Sequence, residues 1–285
     1  MFNYKKKIRN LVKTHIIFLK FPFVVFKSAF RGEFHYVNFY IDRYIKKRLG
    51  FYKYRTSVIK HTVESVNNTA FKIIGAEHNE YSGATAPEVA SGFDICIKLI
   101  TNEKKNLKYL EIGSAKGKSM ALIGELTKNY YAKFNGISID PYFNDSYVEG
   151  RDKPNGLLSS NKQIRKIPID YSSREQALKL WSAFNLNVEQ LRLTSNEGLA
   201  KLSERKEKYD LVYIDGFHDG LTPISDFLGI LDLIQDGSII MIDDWHWANI
   251  HKLKKVCDNL PGLLIVDLNW KIAAYRVINY ESLIG

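Results

Sequence analysis

The sequence predicts an α/β fold: a seven-stranded, mostly parallel sheet with helices on both faces, an antiparallel last strand, and a helical N-terminal extension. Three observations carry that expectation. From about residue 85 onward, short apolar runs alternate with longer stretches of helical periodicity, the pattern of strands joined by crossover helices. Acidic residues close several of the apolar runs, at Asp140, Asp215 and Asp243-Asp244. The last two apolar runs lie close together and read as a hairpin.

The elements follow in order. Pro87 opens a helix over residues 87–100, near the first position, where its missing N–H is not needed. Residues 108–112 form the first strand, ending in Gly113, and a helix covers about 118–128. The second strand, 134–139, closes on Asp140-Pro141. A long connection, about 141–189, holds Gly150, Pro154, Gly156 and Pro168 before a helix around 173–184. A connection of that length is uncommon unless it is functional, often as a lid or recognition loop.

The third strand is expected near 191–193, with a helix from about Glu197. Residues 209–214 make the fourth strand, ending on Asp215-Gly216; a helix over 223–234 and the turn 235–237 lead to the fifth, 238–242. A helix over 248–259 and the Pro261-Gly262 turn precede two final strands, 264–267 and 271–278.

Charge separates the chain into two parts. Residues 1–60 hold 15 Lys/Arg against two acidic residues, Glu33 and Asp42, whereas the remainder holds 26 Lys/Arg against 29 Asp/Glu. A near-neutral domain over 61–285 gives little reason to expect a nucleic-acid groove on it. In the basic extension the apolar run 16–26 is interrupted by Lys20 and Pro22 and is too short to span a bilayer. Its phenylalanines among lysines suit either peripheral membrane contact through residues 1–30 or packing on protein, including a second copy in a homo-oligomer, and packing is the commoner fate. Two cysteines, Cys96 and Cys257, offer neither a disulfide framework nor a thiolate zinc site, so a cytoplasmic setting is expected, free or peripheral at the inner membrane face.

The chemistry sits at the strand ends, where open α/β sheets bind ligands. Glu111-Ile112-Gly113-Ser114-Ala115-Lys116-Gly117 is a glycine-bearing strand-to-helix turn, and Asp140 ends the next strand, where a carboxylate can accept from ribose hydroxyls. Together they point to an adenosine-type cofactor. The dinucleotide pattern lacks its middle glycine, because Ala115 stands there, and a phosphate loop ending at Gly117-Lys118-Ser119 is one residue short. Asp215, Asp243 and Asp244 would repel one another in one crevice unless a cation compensates, and Mg²⁺ is the expected partner. His218 and His246 are candidate bases, and Trp245 and Trp247 candidate pocket walls.

Tyr-Leu-Glu-Ile-Gly-Ser-Ala-Lys-Gly, Ile-Ser-Ile-Asp-Pro-Tyr, Tyr-Asp-Leu-Val-Tyr-Ile-Asp-Gly-Phe-His and Ile-Met-Ile-Asp-Asp-Trp, in this order, resemble the motifs of class I, Rossmann-like S-adenosylmethionine-dependent methyltransferases. The likeness is to the subgroup of small-molecule and sugar O-methyltransferases that includes macrocin and cephalosporin-hydroxylase-like enzymes, and it runs from near Pro87 to the end. It implies S-adenosylmethionine as cofactor, with Glu111, Gly113, Ser114 and Gly117 around its amino-acid end, Asp140 at the ribose, and Ser195 and Asn196 toward the adenine. It also implies a metal at Asp215, Asp243 and Asp244, catalytic roles for His218 and Asp215, and a small-molecule or sugar substrate. Ser195 could equally cap the helix that follows it. Two other readings stay open: a nucleotide- or nicotinamide-binding enzyme using the same crevice, and an inactive scaffold of a polysaccharide assembly. Asn79, Tyr81, Ser82 and the 141–170 loop are expected to shape the acceptor pocket.

Overall fold

The computed structural model describes residues 54–75, 83–100, 105–142, 148–151, 163–166, 173–218 and 221–284. The basic segment proposed for membrane contact, together with Asn79, Tyr81 and Ser82, lies outside these residues. Among the described residues no helix is long and apolar enough to cross a membrane.

Helix α1, Ser57–Ile74, starts where Thr56 offers its hydroxyl oxygen to the Ile59 N–H at 3.2 Å, and stops at Gly75, whose φ of +93° a side chain would resist. Ile59, Val63, Val66 and Ala70 recur at helical spacing and are all buried. They join a core shared with α2 (Pro87–Leu99), α3 (Lys118–Thr127) and α4 (Arg174–Ala183). A division of the chain at residue 60 would cut through α1, which packs as part of the α/β unit.

Strand β1 (Asn106–Ile112) pairs in parallel with β2 (Lys133–Ile139) on one side and β6 (Leu211–Ile214) on the other. The sheet order is β5-β2-β1-β6-β7-β9-β8, with β5 at Asn187–Leu191, β7 at Ile239–Ile242, β8 at Leu263–Leu268 and β9 at Ala273–Val277. The first five strands of that order run parallel, β9 runs antiparallel to β7, and β8 pairs antiparallel with β9. This is the expected seven-stranded sheet. Helices α5 (Ser195–Glu204), α6 (Thr222–Ile230) and α7 (Ala248–Asn259) cover the face opposite α1–α4. Because both faces are covered, β6 and β7 are apolar at every position, and alternate residues of β1 serve opposite cores, Leu107 and Tyr109 one, Leu110 and Ile112 the other. A short helix, α8 (Glu281–Ile284), ends the described chain.

Four expectations shift. The third strand lies at 187–191, upstream of its expected place, because an edge strand is only half covered and Asn-Val-Glu-Gln-Leu carries a weak apolar signal. The long connection contains an antiparallel pair, β3 (Val148–Arg151) with β4 (Gln163–Lys166), rather than loop alone. The expected 223–234 helix tightens into a 3₁₀ turn over Leu231–Leu233. The last strand begins at Ala273, leaving Lys271 and Ile272 in the turn before it.

Candidate active site

Strand order reverses at β1: β2 and β5 extend to one side, β6 and β7 to the other. A crevice opens beyond the carboxyl ends of strands at such a switch point. Every strand-end residue singled out from the sequence lies at the ends of β1, β2, β5, β6 or β7.

Gly113 leaves β1 with φ +86° and donates its N–H to the Ile139 carbonyl at 2.9 Å. A Cβ there would sit 2.1 Å from the Asp215 carbonyl oxygen, so the missing side chain admits the neighbouring strand end. At Gly117, φ +79°, a Cβ would strike the Trp181 indole, whose N–H donates to the Gly117 carbonyl at 2.9 Å. Both glycines are thus required by the protein's own packing, a reason the sequence reading assigned to ligand approach. Between them Ala115 holds φ +47°, a left-handed conformation costing about 1–2 kcal/mol for a residue with a Cβ.

Asp140 compensates that strain. One of its oxygens accepts the N–H groups of Ser114 (3.0 Å) and Ala115 (2.8 Å), and the other accepts the N–H of Tyr142 (2.8 Å). The Ser114 hydroxyl pairs with that of Ser138 at 2.7 Å. Below the loop, Glu111 is wholly buried; one oxygen accepts the Ser119 hydroxyl in a very short contact, while the other has no hydrogen-bond partner. Burial holds its carboxyl well above the usual range, with Asp215 and Asp140 adding to the effect and Ser119 opposing it.

On the other side of the switch point, Asp215 follows β6, and Asp243 and Asp244 follow β7. His218 is buried between them, Nε2 3.6 Å from an Asp215 oxygen and Nδ1 4.0 Å from an Asp244 oxygen, with its ring 5.3 Å from that of Trp247. His246 is buried beside Trp245 and Trp247. Asp244 holds φ +47°. The Lys271 ammonium contacts Asp243 closely and lies 3.1 Å from Asp244.

That lysine organises the local charges. Burial alone would depress its pKa, but Asp243, Asp244 and Asp215 together carry it above the ordinary lysine value. Burial likewise works against ionising Asp244, and Lys271, His246 and His218 overcome it, holding this carboxyl below its usual range. Asp243 is pushed the other way, by burial and then by Asp215, with Lys271 only partly offsetting them. Among the described residues no group of three or more His, Cys, Asp and Glu side chains is gathered so as to hold a metal ion.

Ser195 and Asn196 open α5 at the end of β5, and the capping residue is Thr194, reciprocated by Glu197. Ser195 therefore has no capping duty. The exposed Asn196 accepts the Ser225 hydroxyl at 3.0 Å.

Residues 110–245 match the family model described as a methyltransferase domain. Over those residues the chain resembles this methyltransferase family. Its fold is shared by the O-methyltransferase NovP, at a TM-score of 0.54 and 10% identity over 78% of this chain and 97% of NovP. An O-methyltransferase from Bacillus cereus in complex with SAH aligns at 14% identity over 84% of this chain and 97% of its own, with a TM-score of 0.46. SAH-bound PaMTH1 of Podospora anserina aligns at 12% identity over 84% and 94%, with a TM-score of 0.47. No curated protein matches the chain significantly.

Lys271, Ser119 and Trp181 are site residues that the sequence pattern did not mark. Ser119 and Trp181 looked like ordinary helix residues, and nothing local marks them. Lys271 did have a signal: once the last strand is taken as antiparallel to the fifth, the residues just before it must return to Asp243 and Asp244.

Proposed function

We propose that the methyltransferase domain transfers a methyl group from S-adenosylmethionine to a hydroxyl oxygen of a small molecule or sugar. The observation that carries this reading is His218, a buried imidazole between two carboxylates at the switch point, on the side of the crevice opposite the glycine loop. The residues fit the cofactor. Glu111 keeps a buried oxygen without a partner, and the ammonium of an amino-acid moiety would satisfy it and favour its ionised form. Ser114 to Gly117 would surround that moiety, Asp140 would face the ribose, and Ser195, relieved of capping, and Asn196 would face the adenine.

When bound, the cofactor supplies an electrophilic methyl on a sulfonium. The chain's own residues supply alignment and a proton acceptor. His218 takes the proton of the acceptor hydroxyl, and Asp215 and Asp244 steady the imidazolium that results. NovP is an O-methyltransferase, and the hydroxyl-directed reading extends that activity to this chain. Magnesium assistance does not fit the arrangement, because the Lys271 ammonium already sits on one oxygen each of Asp243 and Asp244, where an ion bound to those carboxylates would meet its charge. No step is routed through a metal.

Calorimetry tests the cofactor. S-adenosylmethionine and S-adenosylhomocysteine should both bind and NAD should not; binding of NAD alone would return the chain to the nucleotide-enzyme reading, and binding of none to the scaffold reading. His218→Ala should leave cofactor affinity unchanged and lower turnover on the order of 10²–10⁴-fold.

A further inference from the structure

We propose that Lys271 is the built-in cation of the Asp215, Asp243 and Asp244 cluster, taking the place of a divalent metal, so that the folded site neither needs nor accepts one. The turnover consequence rests on the methyltransferase reading; the binding consequence does not.

Sheet register brings the lysine to the acidic residues. Ile242 is opposite Ala273 in the antiparallel β7–β9 pair, so continuing the ladder by two residues brings Lys271 opposite Asp244. The backbone then holds it there. The Lys271 N–H donates to Asn269 Oδ1 at 2.9 Å, and the Ile272 N–H donates to the same oxygen at 2.9 Å. The Asn269 N–H returns to the Ile272 carbonyl at 3.0 Å, which closes a tight turn.

The turn is also fastened to the acidic segment itself. Trp245, the residue after Asp244, donates its backbone N–H to the Lys271 carbonyl at 3.3 Å and its indole N–H to the Asn269 carbonyl at 2.7 Å. A solvated surface lysine has no such anchoring. The Lys271 side chain is 12% exposed and Asp243 1%, so the contact is shielded from water and salt.

A metal ion and this ammonium compete for the same oxygens. The ammonium contacts Asp243 Oδ2 and Asp244 Oδ1. A divalent ion drawing on those carboxylates would lie within a few ångströms of a positive charge in a poorly screened pocket, and the two would repel. The ion enters only if Lys271 leaves, and the turn built around Asn269 resists that. An ammonium balances charge and orients Asp244 toward His218, which suits a site where the imidazole accepts the proton.

Mn²⁺ titration followed by electron paramagnetic resonance tests this on the full chain after chelation and dialysis. The wild-type protein should show no stoichiometric site, while Lys271→Ala should bind one Mn²⁺ on the order of 10–100-fold more tightly than wild type, a gain that adding Asp244→Asn removes. One Mn²⁺ bound stoichiometrically by wild type and lost in Asp243→Asn would overturn the proposal, and this holds even if Lys271→Ala does not fold. Turnover of wild type should be unchanged by EDTA, and abolition by EDTA with recovery on Mg²⁺ would also overturn it. Failure to bind S-adenosylmethionine would instead remove the methyltransferase reading and leave the Mn²⁺ result to stand alone.

Discussion

On the β2 side of the crevice Asp140 accepts three backbone N–H groups contributed by the loops it organises, while on the β7 side Asp243 and Asp244 are held by the ammonium of Lys271. The two solutions differ in reach. Backbone donors come with the glycine loop, whose strained turn aims successive N–H groups at one carboxylate. The lysine belongs to a turn beyond α7 and β8, and only the antiparallel return of β9 brings it across. The amides hold Asp140 through groups that carry no net charge, whereas Lys271 sets a full positive charge against Asp243 and Asp244.

The contrast can be broken at its stiffest point first. Gly113→Ala places a Cβ against the Asp215 carbonyl, which links the two sides of the crevice, and demands a left-handed alanine besides. Unfolding by denaturant should show a loss of about 3–5 kcal/mol, more than Gly117→Ala, where the obstacle is mainly a side chain, Trp181. Equal losses would mean that the Gly113 loop moves away at little cost.

Asp140→Asn comes next. The charge is lost and one oxygen becomes a donor facing N–H groups, so stability should fall by about 1–3 kcal/mol and hydrogen exchange of the Ser114 and Ala115 amides should accelerate. Unchanged protection there would show that the loop does not depend on the carboxylate.

A third test uses a cation that lacks what Lys271 has. Lys118, at the first position of α3, has a buried Nζ with no hydrogen-bond partner, and burial lowers its pKa to about 8. The folded chain gives up this proton more readily than the unfolded chain, so below pH 8 the lysine costs stability in full, and the cost fades as pH rises toward the unfolded value near 10.5. Lys118→Met should therefore stabilise by about 1–3 kcal/mol at pH 7, with the gain shrinking between pH 8 and 10.5. A gain independent of pH would assign the effect to apolar packing.

The smallest effect is at Ala115. Replacement by glycine relieves the positive φ but loosens the unfolded chain, leaving a net stabilisation of about 0.5–1 kcal/mol in thermal melts. A destabilisation would show that the Ala115 methyl packs usefully.

Much of this was legible beforehand, for reasons that differ by element. The buried strands β1, β2, β6 and β7 read clearly because both faces demand apolar residues, and the acidic residues stood out because they interrupt such runs. Strand β5 did not, since an edge position relaxes that demand. Thr194, not Ser195, caps the helix, because its partner Glu197 is three residues on. The capping-box spacing was present in the sequence.

By itself the sequence determined the alternation of elements, the direction of the last strand, and the positions of Glu111, Gly113, Asp140, Asp215, His218, Asp243 and Asp244 at strand ends, because side-chain periodicity and turn residues act over a few positions. Only the tertiary structure decided what each of those groups meets: that Gly113 yields to the Asp215 backbone, that Asp140 grips loop amides, and that Lys271 fills the acidic cluster. Those partners are remote along the chain, and strand order and register, which set their distance, are properties of the packed sheet.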